Sequence, residues 1–248
     1  MKILFVTSDV HSYYDQLITG LNEAGFDENN EEHIFVSCGD LLDRGTFPTK
    51  CLQFVNSLPD NRKILIRGNH EIMLQDALNR GYLAGHDYWN GTAETVQYLS
   101  AYASDPYAVD ECELIDTARN NPEWRKYYSN TVYYKEIGDY IFTHAWLPYV
   151  VEGDTLALHP NWREESFKDC IWCNGMHVWS KGAKEPNKTI VCGHIHTAWG
   201  HVNLHGEDST TESIRHMFRP FEDDGIICLD SRVPSTHFVN IKKIIIDD

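Results

Sequence analysis

The apolar residues of the first 80 positions fall into three short runs, each followed by a polar loop. The runs cover residues 2–8, 33–38 and 63–66 and consist mostly of β-branched and other apolar side chains, as expected for buried strands. Apolar residues then recur at helical spacing, with Ser12 predicted as the N-cap of the first helix and Gly25 as its C-terminal stop. Three repeats of strand, loop and helix predict a parallel α/β arrangement with crossover helices.

The pattern after residue 80 is less regular. Residues 81–130 are rich in Gly, Tyr, Trp and Asn, and we expect a mostly helical insertion or lid there, not an independent domain. Residues 152–187 are rich in Trp and Pro and are predicted to form surface loops with short helices. We therefore expect one domain over residues 1–248. Further strands are predicted at 131–136, 140–143, 189–192, 226–229 and 238–246.

The charge and the cysteine content narrow the function classes. The formal net charge of −16 argues against a nucleic-acid-binding surface, because phosphate backbones need a basic footprint. A phosphate substrate remains possible, since bound divalent metals reverse the local field. The opening apolar run is too short for a secretory signal and no later run is long enough to span a membrane, so we expect a cytoplasmic protein without a membrane partner. Seven scattered cysteines indicate reduced thiols, and Cys170 and Cys173 are predicted to be two semi-buried thiols.

Potential metal ligands follow the predicted strands. In parallel α/β sheets, ligands gather beyond the carboxyl ends of the strands, so we expect these side chains to meet at one edge. Oxygen and imidazole ligands suit zinc, manganese or iron, and the absence of thiolates argues against a structural zinc site. The set is larger than one metal can use, which predicts two metals sharing one carboxylate. The residues are Asp9, His11, Asp40, Asp43, Asn69, His70, His144, His194 and His196.

These residues lie in five short blocks that resemble the motifs of the calcineurin-like metallophosphoesterases. The second and third blocks most resemble the Ser/Thr phosphoprotein phosphatase branch, which includes bacterial and phage phosphatases and the dinucleoside tetraphosphatases. The resemblance implies a four-layer α/β/β/α sandwich with two mixed β-sheets. The blocks are Asp9-x-His11, Gly39-Asp40-x-x-Asp43-Arg44-Gly45, Gly68-Asn69-His70-Glu71, Thr143-His144-Ala145 and Gly193-His194-x-His196, in the order that the family has them.

The resemblance also implies a centre of two divalent metal ions. Asp40 would bridge the ions, for which manganese is the first candidate and iron or zinc the others. The implied ligands of the first ion are Asp9, His11 and His196. Those of the second ion are Asn69, His144 and His194.

Three side chains would act on the substrate directly or through a neighbour. His70 would protonate the leaving oxygen, and Asp43 would orient its imidazole. Arg44 would clamp the phosphoryl group, because a guanidinium fork matches a pair of phosphoryl oxygens. Asn69 and His70 are also expected to contact the substrate.

The implied reaction is phosphoester hydrolysis by a metal-bridging hydroxide that attacks phosphorus in line. The leading substrate is a phosphoprotein or a small phosphomonoester. The alternative is a dinucleoside polyphosphate such as a bis(5'-nucleosyl) tetraphosphate, and a phosphodiester is a weaker candidate. A non-enzymatic alternative is a metal-stabilised binding module, but a scaffold alone would not require His70, Asp43 and Arg44.

Three departures from the phosphoprotein phosphatase pattern leave the substrate open. Ser12 stands where that branch usually has glycine, and His144 is followed by Ala145-Trp146 instead of two glycines. The last block carries two histidines, as in the broader superfamily. The native metal and the oligomeric state are open as well.

Polar residues outside the five blocks give weaker signals. Asp230 follows a late predicted strand and is a candidate for lining the pocket. Four histidines have no partner at a ligand spacing and are expected at the surface: His201, His205, His216 and His237.

Overall fold

Two β-sheets pack face to face between two layers of helices in the computed structural model, which describes residues 1–208 and 213–246. The strands are β1 (Lys2–Thr7), β2 (His33–Ser37), β3 (Lys63–Leu65), β4 (Tyr134–Ile137), β5 (Tyr140–Thr143), β6 (Tyr149–Glu152), β7 (Thr155–Leu158), β8 (Thr189–Cys192), β9 (Phe221–Asp223), β10 (Ile226–Cys228) and β11 (Lys242–Ile246). The helices are α1 (Tyr14–Ala24), α2 (Pro48–Ser57), α3 (Asn69–Arg80), α4 (Gly85–Asn90), α5 (Thr92–Leu99), α6 (Glu111–Arg119), α7 (Pro122–Ser129), α8 (Gly175–Ser180), α9 (Ala198–Asn203), α10 (Ile214–Met217) and α11 (Val233–Thr236).

Both large sheets are mixed. The first sheet has the order β11-β1-β2-β3, with β1, β2 and β3 parallel and β11 antiparallel to β1. The second sheet has the order β4-β5-β8-β10-β9, with a parallel centre and an antiparallel strand at each edge. A separate hairpin is formed by β6 and β7. The carboxyl ends of five parallel strands thus supply the loops that carry the predicted ligands.

Alternating side chains along each strand create three cores and four layers. Leu4 and Val6 of β1 lie in the core between the sheets, while Phe5 packs on the helices of the first layer. In the second sheet, Val191 points towards the first sheet and Ile190 packs on the opposite side. Each fully buried side chain of this kind contributes about 1.5–3 kcal/mol. The predicted four-layer α/β/β/α sandwich is confirmed.

The segment between residues 81 and 130 is helical and packs on the first helical layer. It contains α4 to α7, and its residues Val96, Ile115 and Trp124 share a core with Phe5 of β1. Helix α5 packs against α3, and α7 packs against α2. The predicted helical character is therefore observed, while the role of a lid stays a prediction.

Residues 152–187 were predicted as surface loops with short helices. The short helices are present, as α8 and a 3₁₀ helix at Cys170–Trp172, but the surface placement is wrong for several large side chains of the segment. Trp162, Phe167 and Met176 are buried in the core on the outer side of the second sheet. The first sheet is covered by crossover helices, whereas the outer face of the second sheet is covered largely by this aromatic segment and α8. An irregular backbone with many Trp residues can therefore indicate a buried cover, not a solvated loop.

Two local predictions are also wrong. Helix α1 begins at Tyr14 with Tyr13 as its N-cap, whereas Ser12 is buried, has a positive φ and donates its backbone N–H to Leu41 O. Gly25 ends the helix in the left-handed conformation, as predicted. His201 was expected at the surface but is only 2% exposed.

The cysteines at the described positions are free, and Cys170 is buried. Across residues 1–208 and 213–246, no helix has both the length and the apolar character that a membrane span requires.

Candidate active site

Six of the predicted ligands meet where β1, β2, β3, β5 and β8 end. We call this group the strand-end site (Asp9, His11, Asp40, Asn69, His144 and His194). Its side chains come from loops up to 185 positions apart, as the bond from the His194 backbone N–H to Asp9 Oδ2 (2.9 Å) shows. All of them except His194 are buried.

The loops of the strand-end site turn through left-handed backbone conformations. Such a conformation costs a non-glycine residue about 1–3 kcal/mol, so it persists only when the surroundings enforce it. Backbone bonds between the loops do so: Asp9 N–H donates to Gly39 O (3.1 Å) and His11 N–H to Asp40 O (3.0 Å). The non-glycine residues with positive φ in these loops are Asp9, His11, Ser12, Asp40, Asp43, Arg44 and His194.

Glu71 holds two of these loops together, a role that the sequence motif did not reveal. Its buried carboxylate accepts the backbone N–H groups of Asp40 (2.9 Å), Leu41 (2.9 Å) and Gly68 (2.7 Å), and also the hydroxyl of Tyr127 (3.0 Å). Gly68 is required here, because a Cβ at that position would overlap Asp40 Oδ1. Glu71 thereby fixes the backbone that presents the Asp40 carboxylate.

Four electron-donating atoms converge on one point beside Asp40 Oδ1. His144 Nε2 lies 2.8 Å from Asn69 Oδ1, 3.2 Å from His194 Nδ1 and 3.4 Å from Asp40 Oδ1. The other nitrogens of the two rings donate to backbone carbonyls, since His144 Nδ1 is 2.8 Å from Cys38 O and His194 Nε2 is 3.2 Å from Trp172 O. Neutral imidazoles with these tautomers direct lone pairs at the common point. This is the donor arrangement that a cation requires.

A second group lies on the other side of Asp40. His11 Nε2 is 4.0 Å from both Asp9 Oδ1 and Asp40 Oδ2, and its Nδ1 lies 3.1 Å from Leu42 O. His70 Nε2 is 3.9 Å from the same Asp40 oxygen, so His70 is a possible ligand as well as a possible acid. The carboxylate of Asp40 therefore faces both groups.

His196 is not drawn into either group. The sets whose ligand atoms lie within 4.8 Å of one another at this site are His11–Asp40–His70 and Asp40–His144–His194. However, His196 Nδ1 is buried and has no hydrogen-bond partner among residues 1–208 and 213–246, although buried polar atoms are usually hydrogen-bonded. A ligand at this nitrogen would satisfy it.

The electrostatics favour an ionised Asp40 beside neutral His11 and His194 rings. Burial lowers the pKa of His194 to about 4 and, with the charge of His70, holds the pKa of His11 well below its usual value. Burial alone would raise the pKa of Asp40, but the surrounding imidazoles, His144 foremost, outweigh it and lower that pKa. Burial raises the pKa of Asp9. The donor set, the fixed tautomers and the unpaired His196 nitrogen fit divalent cations.

His70 is part of a hydrogen-bonded chain that reaches into the helical segment. Its Nδ1 lies 2.8 Å from Asp43 Oδ2, and the Asp43 carboxylate accepts the hydroxyls of Thr92 (2.7 Å) and Thr95 (2.6 Å). Burial by itself lowers the pKa of His70, but the charge of Asp40 and the hydrogen bond to Asp43 reverse this and raise it. Both threonines belong to α5, so the segment between 81 and 130 contributes directly to the site.

Two arginines adjoin the site. The Arg44 guanidinium donates to His11 Nε2 (2.9 Å) and His70 Nε2 (3.0 Å). Arg232, which the sequence analysis did not select, is exposed and close enough to His196 for its charge, after burial, to lower the pKa of that imidazole. Its backbone N–H donates to the buried Asp230 (2.6 Å), whose pKa is raised by burial and by the charge of Asp9.

Comparison with known proteins gives relatives of two kinds. A symmetrical bis(5'-nucleosyl)-tetraphosphatase from Psychromonas ingrahamii is 32% identical over 123 residues, which cover 50% of this chain and 39% of that protein. Serine/threonine-protein phosphatase 1 from Salmonella typhimurium is 36% identical over 74 residues, which cover 30% of this chain and 32% of that protein. The matched segments therefore span well under half the length of these relatives.

The fold is also found in solved structures. The cold-active protein-tyrosine phosphatase of a psychrophilic Shewanella is 17% identical with a TM-score of 0.54, and the match covers 98% of this chain and 75% of that chain. At this identity the likeness is one of fold. The family model described as calcineurin-like phosphoesterase matches residues 1–219, which include every residue of the strand-end site. The chain therefore belongs to the calcineurin-like phosphoesterase family.

Proposed function

We propose that this protein is a phosphoester hydrolase that works with two divalent metal ions. The position of Asp40 carries the proposal, because Oδ1 lies 3.4 Å from His144 Nε2 while Oδ2 lies 4.0 Å from His11 Nε2. One carboxylate shared by two groups of imidazoles is the arrangement of two-metal phosphoester hydrolysis. The family membership and the two kinds of relatives support this activity.

We assign the ions to the ligands that the family resemblance implies. The shared ligand is Asp40, and manganese is the first candidate, with iron or zinc as alternatives. When bound, the ions would act as Lewis acids on the phosphoryl oxygens and make a water nucleophile available near neutral pH. The ligands of the first ion would be Asp9, His11 and His196. Those of the second would be Asn69, His144 and His194.

His70 would be the proton donor to the leaving oxygen. Its Nδ1 is bonded to Asp43, which leaves Nε2 facing the centre, and the raised pKa favours the protonated ring that an acid needs. Thr92 and Thr95 hold the Asp43 carboxylate in place, since Thr92 donates to the oxygen that His70 contacts and Thr95 to the other oxygen. Arg44 would leave the imidazoles that it now contacts and bind phosphoryl oxygens through its guanidinium fork.

The leading substrate is a phosphomonoester, either a phosphoprotein or a small molecule. A dinucleoside polyphosphate is the second candidate, and Arg232 favours it. The Arg232 guanidinium has no hydrogen bond or ion pair among residues 1–208 and 213–246, and it lies on the His196 side of a site whose other arginine is beside His11 and His70. A substrate with several phosphates would contact the guanidinium groups of both arginines, Arg44 and Arg232.

We also propose that residues 1–248 form one domain, with the helical segment at about 81–130 as an insertion that shapes the substrate pocket. The bonds from α5 to Asp43 support this. The free cysteines of the described chain favour a reducing compartment, the cytoplasm.

The test is a substrate panel with protein reconstituted in manganese. We expect turnover of an aryl phosphate, and the ratio of kcat/KM between a phosphopeptide, a dinucleoside tetraphosphate and a cyclic phosphodiester assigns the substrate class. Treatment with a chelator should abolish the activity, and manganese should restore it. Metal-loaded, folded protein that hydrolyses none of these compounds would support the binding-module alternative and overturn the proposal.

A further inference from the structure

A second group of potential ligands lies at the edge of the second sheet, away from the strand-end site. We call it the edge cluster (His201, His205 and Glu207). His201 is in the last turns of α9, and the other two residues follow in the next loop. Both imidazoles pack on Phe221 of β9, with ring centroids 5.5 Å and 4.7 Å apart. Their ligand atoms and a Glu207 oxygen lie within 4.8 Å of one another.

The hydrogen bonds of the edge cluster fix which nitrogen of each ring faces Glu207. His201 Nε2 lies 3.3 Å from the carbonyl oxygen of Arg219, which can only accept, so this nitrogen carries the proton of a neutral ring. His205 Nε2 lies 3.1 Å from Asp223 Oδ2, a carboxylate oxygen, and is protonated for the same reason. The remaining Nδ1 atoms direct lone pairs at Glu207 Oε1, at 3.0 Å for His201 and 3.9 Å for His205.

A cation between these three acceptors would add to the positive charge that the Arg219 guanidinium brings to Glu207 Oε1. A proton on His201 Nδ1 would satisfy one contact, whereas a cation would satisfy all three. Histidine ligands of metals characteristically donate their other N–H to a backbone carbonyl or a carboxylate, as both rings do here. In a tetrahedral zinc site, bond lengths of about 2.0–2.2 Å place neighbouring ligand atoms roughly 3.3 Å apart. The measured 3.0 Å and 3.9 Å lie on either side of that separation.

Arg219 contacts the same carboxylate and must be compatible with a cation. Its Nη1 lies 3.1 Å from Glu207 Oε2 and its Nη2 lies 2.8 Å from Oε1. Because the two oxygens are distinct, Arg219 can keep Oε2 while Oε1 binds a metal, and ligating carboxylates are commonly hydrogen-bonded in this way. Arg219 also lowers the pKa of Glu207 to about 2, so the carboxylate is ionised at neutral pH.

We propose that His201 Nδ1, His205 Nδ1 and Glu207 Oε1 form a zinc site that is separate from the strand-end site. Two imidazoles and one carboxylate are a donor set that Zn²⁺ accepts, and His216 or solvent can provide a fourth ligand, since His216 Nε2 lies 3.7 Å from Glu207 Oε2. The ion would join the end of α9 to the strand β9 through the contacts of both rings. Its role is structural, and it does not depend on the proposed hydrolase activity.

The test is the zinc content of the full chain after metal removal and dialysis against Zn²⁺. His205→Gln and Glu207→Gln should each bind one zinc ion per chain fewer than the wild type, because each variant removes one ligand of the partly exposed edge cluster. His86→Gln is the matched control, since His86 is an exposed histidine elsewhere, and it should bind as much as the wild type.

Stability gives a second readout of the same site. Zn²⁺ should raise the Tm of the wild type more than that of His205→Gln, and turnover of an aryl phosphate by His205→Gln should stay within about twofold of the wild type after reconstitution in manganese. Equal zinc content in the wild type and in both variants would overturn the proposal and assign a proton, not a metal, to His201.

Discussion

The strand-end site and the edge cluster share one arrangement of imidazoles and a carboxylate but differ in burial and in the charges around them. In both, imidazoles donate one N–H to a fixed acceptor and direct the other nitrogen at a carboxylate. The strand-end site is mostly buried, and the Arg44 guanidinium that contacts it bonds to imidazoles and not to the carboxylates. The edge cluster is partly exposed, and Arg219 already neutralises its carboxylate.

The difference shows what makes a reactive metal centre. Carboxylates without a paired arginine leave the strand-end site with an excess of electron-donating atoms, which strongly bound cations would balance. Its backbone strain and the bonds of Glu71 hold these atoms in place before any ion binds. The edge cluster lacks both features, so a metal there would stabilise the fold and not drive a reaction.

The largest expected effect is that of Asp40→Asn. Loss of the shared carboxylate should reduce turnover by at least about 10³-fold, since metal-ion catalysis contributes several kcal/mol. Metal analysis should show loss of bound manganese in the same variant. Glu207→Gln is the matched control from the edge cluster and should leave turnover unchanged. Normal metal content in Asp40→Asn would contradict the idea that both groups share this residue.

His70→Asn tests whether His70 is an acid or a ligand. We expect turnover to fall by about 10²–10⁴-fold, the usual contribution of a general acid, with the manganese content unchanged. The structure permits the other role, because His70 Nε2 lies only 3.9 Å from Asp40 Oδ2. Loss of one metal ion from the variant would make His70 a ligand and move the proton donor elsewhere.

Asp43→Asn tests whether the pKa of His70 sets the pH dependence of turnover, and in which direction. The hydrogen bond to Asp43 raises the pKa of His70, and the acid is active only when protonated, so activity falls as pH rises through that pKa. Without the carboxylate the pKa falls, and the alkaline limb of the pH–rate profile should move to lower pH. We expect a loss of about 10–100-fold in kcat at neutral pH. An unmoved alkaline limb would mean that another group sets it.

Arg232→Gln should have the smallest effect and depends on the substrate. We expect the KM for a dinucleoside tetraphosphate to rise about threefold to tenfold, as for a partly exposed charged contact, while the KM for an aryl phosphate changes little. Arg215→Gln is the control, because Arg215 is exposed and its contacts, a 3.9 Å ion pair with Glu23 and a cation–π contact with Phe238, lie outside the strand-end site. Equal effects of Arg232→Gln on both substrates would remove the argument for a polyphosphate.

Much of the strand-end site was predictable because it depends on local signals. Strand runs end where apolar residues end, so Asp9, Asp40 and His194 could each be assigned to the carboxyl end of a strand from periodicity alone, although the strands belong to two sheets. Helix caps were less predictable. Ser12 does not cap the first helix, because its backbone N–H bonds to Leu41 O in the loop after β2. The bond between Thr92 and Asp43 joins residues 49 positions apart and has no local signal.

The succession of strands, loops and helices in the first 80 residues, the chemistry of the ligands and the family resemblance could be read from the sequence, because each depends on neighbouring residues. Three features are visible only in the folded protein: residues 152–187 cover the second sheet, Glu71 fixes the Asp40 loop, and His201 and Arg219 both contact Glu207. These contacts depend on how the sheets and helices pack against one another and on which apolar surfaces they leave to be buried. The segments that pack together are far apart in the sequence and at irregular spacings. Hydrophobic periodicity reports local secondary structure, so it does not predict these contacts.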